Sequence, residues 1–447
     1  MDTIVAIATA PGRGGVGIVR LSGSQSTEIA RAFCGELPAP RYAMFSHFKD
    51  GKGEIIDSGV VIYFPNPASF TGEDVVELQC HGSPIVLDRI CQRAISLGAR
   101  MARPGEFSER AFLNNKMDLA QAEAVADLID SSTEQAARSA MRSLQGVFSE
   151  RVNKLLTQLT ELRMFVEASI DFSDEEIDFL AEAAVGDQLL ALLKTVDDIT
   201  SSAQQGRLLR EGMSVVLAGQ PNAGKSSLHN QLAGHDAAIV TDVAGTTRDI
   251  LREQIHLGGL PLRISDTAGL HDSTNIVEQE GIRRTQNEIA QADHILLVID
   301  DSQGITQQDE LIRATLPQQI PLTIIHNKID KSSKKAAINS SEKEDTEIYL
   351  SAKTGEGIEL LKTYLCDSVG YHPQDEGVFI ARRRHLDALS RTHKAIQAGY
   401  DCLTGMGAGE LLAEELRQAQ HALGEITGTF SNEDLLDKIF SSFCIGK

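Results

Sequence analysis

The first 118 residues combine short apolar runs with one amphipathic stretch. The runs "TIVAIATA" (3–10) and "SGVVIYF" (58–64) are rich in β-branched residues, which favours strands. The glycine-rich letters "PGRGGVG" (11–17) predict turns, and "SPIVLDRICQRAISLGA" (83–99) has the periodicity of a helix. We therefore expect a small α+β domain over residues 1–118.

Two later blocks share another texture, in which apolar residues recur at spacings of three and four. They cover 119–211 and 374–447 and are rich in Ala, Leu, Gln and Glu, which predicts helices. The texture of residues 212–373 differs from both. Because the termini of a domain often lie close together, the simplest interpretation is a discontinuous helical domain into which 212–373 is inserted. Within that insert, the polar stretch 330–347 is predicted to be a surface loop.

The inserted domain opens with an apolar strand, a glycine loop and a helix, "MSVVLAGQPNAGKSSLHNQLAG" (213–234). Gly219-x4-Gly224-Lys225-Ser226 fits the phosphate-binding loop of an α/β nucleotide-binding domain. Backbone N–H groups of such a loop and the helix N-terminus bind anions. Lys225 is expected to reach the β- and γ-phosphates and Ser226 to bind Mg²⁺. The alternative is an accidental glycine turn, against which the preceding strand and following helix argue.

Two further segments supply groups for the phosphates and the metal ion. "GTTRD" (245–249) offers the hydroxyl of Thr247 to Mg²⁺. "DTAG" (266–269) follows the strand-like letters "LRIS" and is expected to place Asp266 near the metal and Gly269 at the γ-phosphate.

Another pair of segments is predicted to bind the base of the nucleotide. In "NKID" (327–330), Asp330 can accept hydrogen bonds from N1–H and the exocyclic amine of guanine, a donor pair that adenine lacks. "SAK" (351–353) is expected to pack against the base. Each segment alone is weak, but in this order the set predicts a Ras-like P-loop GTPase. The predicted GTP contacts are Asn222, Ala223, Gly224, Lys225, Ser226, Ser227, Thr241, Asp242, Val243, Ala244, Gly245, Thr246, Thr247, Asp266, Thr267, Ala268, Gly269, Asn327, Lys328, Asp330, Ser351, Ala352 and Lys353.

The position after "DTAG" is unusual for a GTPase. It holds Leu270, where Ras-type proteins have a Gln that orients the attacking water. An apolar side chain cannot orient water, so either hydrolysis is poor or another group does so. Arg248 stays open as a charge-stabilising group.

The acidic composition limits how this chain could bind a nucleic acid. The net charge is -21, so phosphate contacts need a local basic patch or another protein. Residues 1–118 are nearly neutral, with 12 basic against 13 acidic side chains.

None of the six cysteines forms a Cys-x-x-Cys pair, which disfavours a disulfide framework or a zinc site. The start lacks the basic flank of a signal peptide and no run has membrane-spanning length, so we expect a cytoplasmic protein without a membrane partner.

The letters "PGRGGVGIVRLSG", "GQPNAGKSS", "TDVAGTTRD", "DTAGL" and the final "FCIGK" together resemble the bacterial tRNA-modification GTPases of the MnmE (TrmE) family, over essentially the whole chain. The resemblance implies an N-terminal folate-binding domain that forms a homodimer, a helical domain and an inserted G domain. It implies a flavoprotein partner, MnmG, and addition of an aminomethyl or carboxymethylaminomethyl group to C5 of the wobble uridine (U34) of certain tRNAs. The one-carbon unit would come from 5-formyl-tetrahydrofolate or a related compound. The tRNA would be held mainly by the partner.

The resemblance also implies an answer to the Leu270 problem. K⁺ bound between two G domains would stabilise transition-state charge, held by Asn222, Thr241, Val243 and Thr246. Glu278 matches the acid that orients or activates the attacking water. The alternatives are a one-turn misassignment to nearby Glu280, or a solvated acid on a helix surface.

Four positions match the folate site of the family: Arg20, Glu77, Lys116 and Lys447. Taken one by one, Arg20 reads as a surface cation and Glu77 as a strand-face acid. Cys444 is a possible site residue, as a nucleophile or as a small apolar group, and the tail that carries it could equally be frayed. His81 is expected to be a turn or core histidine.

Two other functions stay open. One is a ribosome-assembly GTPase of the Era or Der type, although we find no basic Gly-x-x-Gly RNA-binding loop. The other is a folate-dependent transferase that acts alone, with a regulatory G domain.

Overall fold

The computed structural model describes residues 2–171, 182–234, 255–266, 289, 292–341, 344–371, 378–406, 408–430 and 433–446. Its three largest clusters of buried apolar side chains lie in the N-terminal region, in the helices and in the inserted region. Within the described ranges, no helix combines the length and the apolar character needed to cross a membrane.

The N-terminal region is a six-stranded sheet in the order β3-β4-β5-β2-β1-β6, with helices packed against it. The expected α+β class is therefore confirmed. The prediction of a turn over 11–17 was partly wrong, because β2 begins at Gly14. An added Cβ at Gly17 would lie 2.7 Å from a methyl carbon of Leu87, so glycine lets the helix approach the strand. The elements are β1 (Ile4–Ile7), β2 (Gly14–Ser22), α1 (Ser26–Cys34), β3 (Met44–Lys49), β4 (Ile55–Phe64), β5 (Val75–Gly82), α2 (Pro84–Ser96), β6 (Arg100–Met101) and α3 (Glu106–Leu113).

Four helices follow: α4 (Leu119–Ile129), α5 (Glu134–Leu144), α6 (Val147–Asp171) and α7 (Glu182–Glu211). The start of α4 is fixed by a capping box, in which Asp118 accepts from the backbone of Gln121 at 2.8 Å and the Gln121 side chain accepts from the backbone of Asp118 at 3.0 Å. The end of α7 is fixed by Gly212, whose φ of +77° suits glycine and turns the chain into the next strand.

The inserted region holds a seven-stranded sheet in the order β12-β13-β11-β10-β7-β9-β8, with a parallel centre and antiparallel edges. The prediction of a loop over 330–347 was wrong in part, since half of its residues belong to the antiparallel strands β12 and β13. Its polar side chains suit an edge strand that faces solvent. The elements are β7 (Met213–Ala218), α8 (Lys225–Ala233), β8 (Ile255–Leu257), β9 (Leu260–Asp266), β10 (His294–Asp300), α9 (Gln307–Thr315), β11 (Leu322–Asn327), α10 (Ile329–Ser332), β12 (Ala337–Ser341), β13 (Glu344–Tyr349) and α11 (Ile358–Ser368).

The chain then returns to the helices as α12 (Arg383–Met406), α13 (Gly409–Thr427) and α14 (Glu433–Phe440). Leu159 of α6, Leu192 of α7, Leu389 of α12 and Leu416 of α13 lie in one buried cluster. Helices from before and after the insert thus share a core. The limits at residues 118, 211 and 373 stay predictions.

Candidate functional site

The loop after β7 has a backbone that requires glycine at two positions. Gly219 has a φ of +135°, and a Cβ there would lie 2.2 Å from the carbonyl oxygen of Val298. Gly224 has a φ of +104°, and a Cβ there would lie 2.2 Å from Nδ2 of Asn327. Larger residues are therefore excluded by both conformation and space. The loop leads directly into the N-terminus of α8, as an anion-binding loop must.

A lysine and two serines follow the second of these glycines. The Lys225 ammonium donates to the carbonyl oxygens of Gly219 at 2.8 Å and Gln220 at 2.9 Å, so it lies over the loop. Ser226 and Ser227 are exposed in the first turn of α8. Their hydroxyls can therefore be reached by a ligand and its metal ion.

Asn327 joins the phosphate loop to the predicted base loop. Its Nδ2 donates to the carbonyl of Ala223 at 2.9 Å, and its Oδ1 accepts from the backbone N–H of Lys328 at 2.8 Å and of Ala352 at 2.9 Å. The residue is 1% exposed, so these bonds are shielded from water. Asn327 thus acts as a buried brace and not as a surface turn residue.

Two further contacts shape the same edge of the sheet. The Lys328 ammonium donates to the carbonyl of Asn222 and to a carboxylate oxygen of Asp300, both at 2.7 Å. The Asp330 carboxylate accepts from the hydroxyl of Ser351 at 2.7 Å while the residue stays exposed. The other carboxylate oxygen of Asp330 can be reached by a ligand, because the residue is exposed. Lys353, in the same segment as Ser351, is also exposed.

Several predicted site residues lie outside the described residues: Thr241, Asp242, Val243, Ala244, Gly245, Thr246, Thr247, Thr267, Ala268, Gly269, Glu278 and Lys447. Leu270, Arg248 and Glu280 lie outside them as well. The backbone of Asp266 is described and pairs with Leu217 at the end of β9, next to the phosphate loop.

The structure pairs Arg20 with Glu77 on neighbouring strands. Nε of Arg20 donates to Oε1 of Glu77 at 3.0 Å, and a second guanidinium nitrogen lies 2.9 Å from the same oxygen. The guanidinium carbon also lies 5.7 Å from the ring centres of Phe70 and Phe107. The side chains are 22% and 14% exposed, so neither is an isolated surface charge.

Lys116 is connected to this pair by the loop 66–72. Its ammonium donates to the carbonyl of Pro67 at 3.0 Å. A Cβ added at Gly72 would lie 3.4 Å from Cγ and Cδ of Lys116, so the lysine side chain runs along this loop. The same loop carries Phe70, which packs against Arg20. Lys116 and Arg20 are therefore positioned by one segment.

The C-terminal tail is docked on the N-terminal sheet. Ile445 pairs with Pro104, and the backbone N–H of Gly105 donates to the carbonyl of Cys444 at 3.4 Å. Gly446 has a φ of +94°, and a Cβ there would lie 2.2 Å from the carbonyl of Ile7, at the end of β1. Hence the frayed-tail alternative is wrong as far as Gly446. Cys444 itself is exposed.

A buried charge network supports α3, and the sequence reasoning missed it. The Glu106 carboxylate accepts from Arg100 at 2.5 and 2.8 Å, from the backbone of Arg103 at 2.8 Å and from Arg110 at 3.0 Å. Burial opposes its ionisation, but these donors outweigh burial and lower the pKa of Glu106 to about 2. Glu106 and Arg110 in one helical turn were the only signal in the sequence. The network fixes α3, which carries Phe107 under Arg20.

The expectation of a turn or core position for His81 was wrong, because the residue lies in strand β5. Its side chain is 74% exposed, so it is not a core residue. Nδ1 lies 2.8 Å from Oδ1 of Asp57, and the backbone N–H of His81 donates to Oδ2 of Asp57 at 2.8 Å. Asp57 is thereby tied to the end of β5, which the spacing in sequence could not show.

Comparison with known proteins covers the whole chain. The family model described as "MnmE helical domain" matches residues 119–444, and "GTP-binding protein TrmE N-terminus" matches residues 3–116. A relative from Hydrogenovibrio crunogenus, named tRNA modification GTPase MnmE, is 55% identical over all of this chain and 99% of its own length. Proteins of the same name from Nitrosococcus oceani and Marinobacter nauticus are each 57% identical over all of this chain and 97% and 99% of theirs.

Proposed function

The chain belongs to the MnmE family of tRNA modification GTPases, and from this premise we propose which reaction its GTP hydrolysis serves. The chain, together with the flavoprotein MnmG, drives folate-dependent addition of a carboxymethylaminomethyl or aminomethyl group to C5 of the wobble uridine of certain tRNAs. A homodimer carries out this reaction, and the tRNA is held mainly by MnmG because the chain's net charge is -21.

The observation that carries the nucleotide half is the brace made by Asn327. It holds the phosphate loop and the base loop in one geometry through buried hydrogen bonds to Ala223 and Ala352. Asp330 then presents a carboxylate to the edge of guanine. Lys225 would bind the phosphates, and Ser226 with Thr247 would hold Mg²⁺.

The residues present fit a nucleotide with its metal ions. The glycines of the loop allow the positive φ values of an anion-binding turn, and Asn222 is exposed beside them. Asn222 with Thr241, Val243 and Thr246 would hold K⁺, which supplies positive charge where negative charge develops during hydrolysis. Glu278 orients the attacking water, a role that Leu270 cannot perform.

The folate half of the proposal is supported by Arg20 and Glu77. A carboxylate accepts from paired N–H donors such as those of a pterin, and a guanidinium can donate to oxygen acceptors and stack on flat rings. Most of the surface of both side chains is buried, and Arg20 lies beside the ring of Phe70. Such a setting suits a planar ligand. Lys116 and Lys447 would meet the carboxylates of the ligand.

A reconstituted reaction tests the proposal. Purified chain, MnmG, undermodified tRNA, a one-carbon tetrahydrofolate and an amine donor are incubated with GTP, and the tRNA nucleosides are analysed by mass spectrometry. We expect a modified wobble uridine that is lost when GTP, the folate or MnmG is omitted. Modification without MnmG would favour the transferase that acts alone. No modification with all components present, together with binding to ribosomal particles, would favour the ribosome-assembly GTPase.

A further inference from the structure

The two connections between the inserted region and the helices meet at one carboxylate. The first connection leads from α7 into the inserted region. Arg210 lies at the end of α7, and its Nε donates to Oδ1 of Asp127 at 2.7 Å. The second connection leads from the inserted region to α12. Arg382 lies just before α12, and its guanidinium donates to the same oxygen at 2.8 Å. Asp127 belongs to α4 and therefore to neither connection.

These contacts are shielded and tightly packed. The Asp127 side chain is 5% exposed, that of Arg382 15% and that of Arg210 32%. Nearby, a Cβ at Gly206 of α7 would lie 1.8 Å from the carbonyl of Phe379, so the two connections touch each other. Charge-assisted hydrogen bonds in such a setting resist separation of their partners.

The first turn of α12 contacts a second residue of α4. Glu123, one turn before Asp127, accepts from Arg384 at 2.6 and 2.8 Å, and Nε2 of His385 lies 2.9 Å from the same carboxylate. An acidic residue near the C-terminus of a helix is disfavoured by the helix dipole. The position of Asp127 is therefore set by its arginine partners.

The opposite end of α4 reaches the candidate folate site. Leu119 packs with Phe440 and Phe443, which lead into the docked tail. Lys116 lies three residues before Leu119 in the chain. Asp127 lies eight residues after Leu119 in α4, a distance of about 12 Å along the helix axis.

The connections also touch the strand that leads to the nucleotide. Gly212, which follows α7, lies so close to Pro261 that a Cβ would be 2.9 Å from its carbonyl oxygen. Pro261 is near the start of β9, and β9 ends at Asp266 beside the phosphate loop. A displacement of β9 along its axis would therefore press on the Arg210 end of α7.

We propose that Asp127 is a positioning residue that couples the nucleotide state of the inserted domain to α4, and through α4 to Lys116 and the C-terminal tail. The nucleotide changes the position of β9, the paired connections follow, and Asp127 transfers that change to α4. This coupling goes beyond GTP hydrolysis itself and does not require the ligand of the N-terminal site to be folate.

Amide hydrogen exchange in the full chain tests this coupling. Exchange over 119–129 and 440–446 is compared with GDP and with GDP–aluminium fluoride in KCl buffer, for the wild type, Asp127→Asn and the control Asp130→Asn. Asp130 is exposed at the end of the same helix, so the control makes the same charge change nearby.

We expect a nucleotide-dependent change in exchange over both segments in the wild type and in Asp130→Asn. In Asp127→Asn this difference should fall by about half or more, while nucleotide affinity and basal GTP hydrolysis stay within about twofold of the wild type. A merely structural role would raise exchange in both nucleotide states and leave their difference intact, which would overturn the proposal. A wild type without any nucleotide-dependent change would overturn it as well.

Arg382→Lys provides a second variant if Asp127→Asn is poorly folded. It keeps the charge and removes the planar guanidinium that contacts both Asp127 and Glu123. The proposal expects a weakened difference here too, and an undiminished difference in this variant would contradict it.

Discussion

The side-chain amide of Asn327 donates to the backbone carbonyl of Ala223 at 2.9 Å, across 104 residues of sequence. This bond fixes the distance between the loop for the phosphates and the loop for the base. We therefore expect a nucleotide that spans both loops to bind in a geometry that the protein already has without it. Preformed geometry reduces the cost of ordering on binding.

Replacement of Asn327 by Ala should weaken GTP binding. The variant loses two buried hydrogen bonds and one part-buried hydrogen bond, and it leaves the carbonyl of Ala223 and the N–H of Ala352 without this partner. We expect the Kd for GTP to rise by about tenfold to a hundredfold, and the inserted region to lose about 1–3 kcal/mol of stability. Calorimetric titration and thermal unfolding measure the two effects. Ser340→Ala, on the exposed β12 edge, is the control and should change neither.

Glu278→Ala should separate binding from hydrolysis. If Glu278 orients the attacking water, the variant keeps the GTP affinity of the wild type and loses at least about a hundredfold in turnover rate. Single-turnover phosphate release in KCl measures the rate. Glu280→Ala is the matched control and should turn over normally. Normal turnover by Glu278→Ala with loss in Glu280→Ala would show that the assignment is off by two residues.

The fold was largely readable from the sequence because its signals are local. The predicted phosphate loop needs a positive φ at Gly219 and Gly224, and the spacing of these glycines between a strand-like and a helix-like segment indicates it. The polar β12–β13 hairpin was missed since its residues resemble a loop and are ordered by pairing at a sheet edge. Contacts such as Asn327 with Ala223, or Glu106 with Arg100 and Arg110, depend on tertiary placement that hydrophobic periodicity does not encode.

Stability of the N-terminal region should depend on pH through Glu106. Its pKa is about 2 in the folded protein and 4.5 in the unfolded chain, so the ionised carboxylate stabilises the fold fully above pH 4.5. That contribution, about 3 kcal/mol, is lost as the pH falls from 4.5 towards 2. Urea unfolding of the wild type and Glu106→Gln, followed by circular dichroism, should show a gap in unfolding free energy of about 3 kcal/mol at pH 6 and less than half of that at pH 3.

Glu109→Gln serves as the control for that series. Glu109 lies in the same helix and contacts Arg103 at 3.0 Å, but it makes no contact with Arg100 or Arg110 among the bonds of the described residues. Its effect on unfolding should be small at every pH. An equal gap between wild type and Glu106→Gln at pH 6 and pH 3 would refute the linkage.

The central claim is that this GTPase also has a folate site, to which the C-terminal tail contributes residues. One titration tests this claim most directly. 5-Formyl-tetrahydrofolate is titrated by calorimetry into the intact chain, into Lys447→Ala and into a chain that ends at Phe443. We predict binding to the intact chain and an affinity lower by about tenfold or more in the other two, with GTP affinity equal in all three. Equal folate affinity in all three chains would remove the tail from the site, and absence of folate binding to the intact chain would contradict the proposed function.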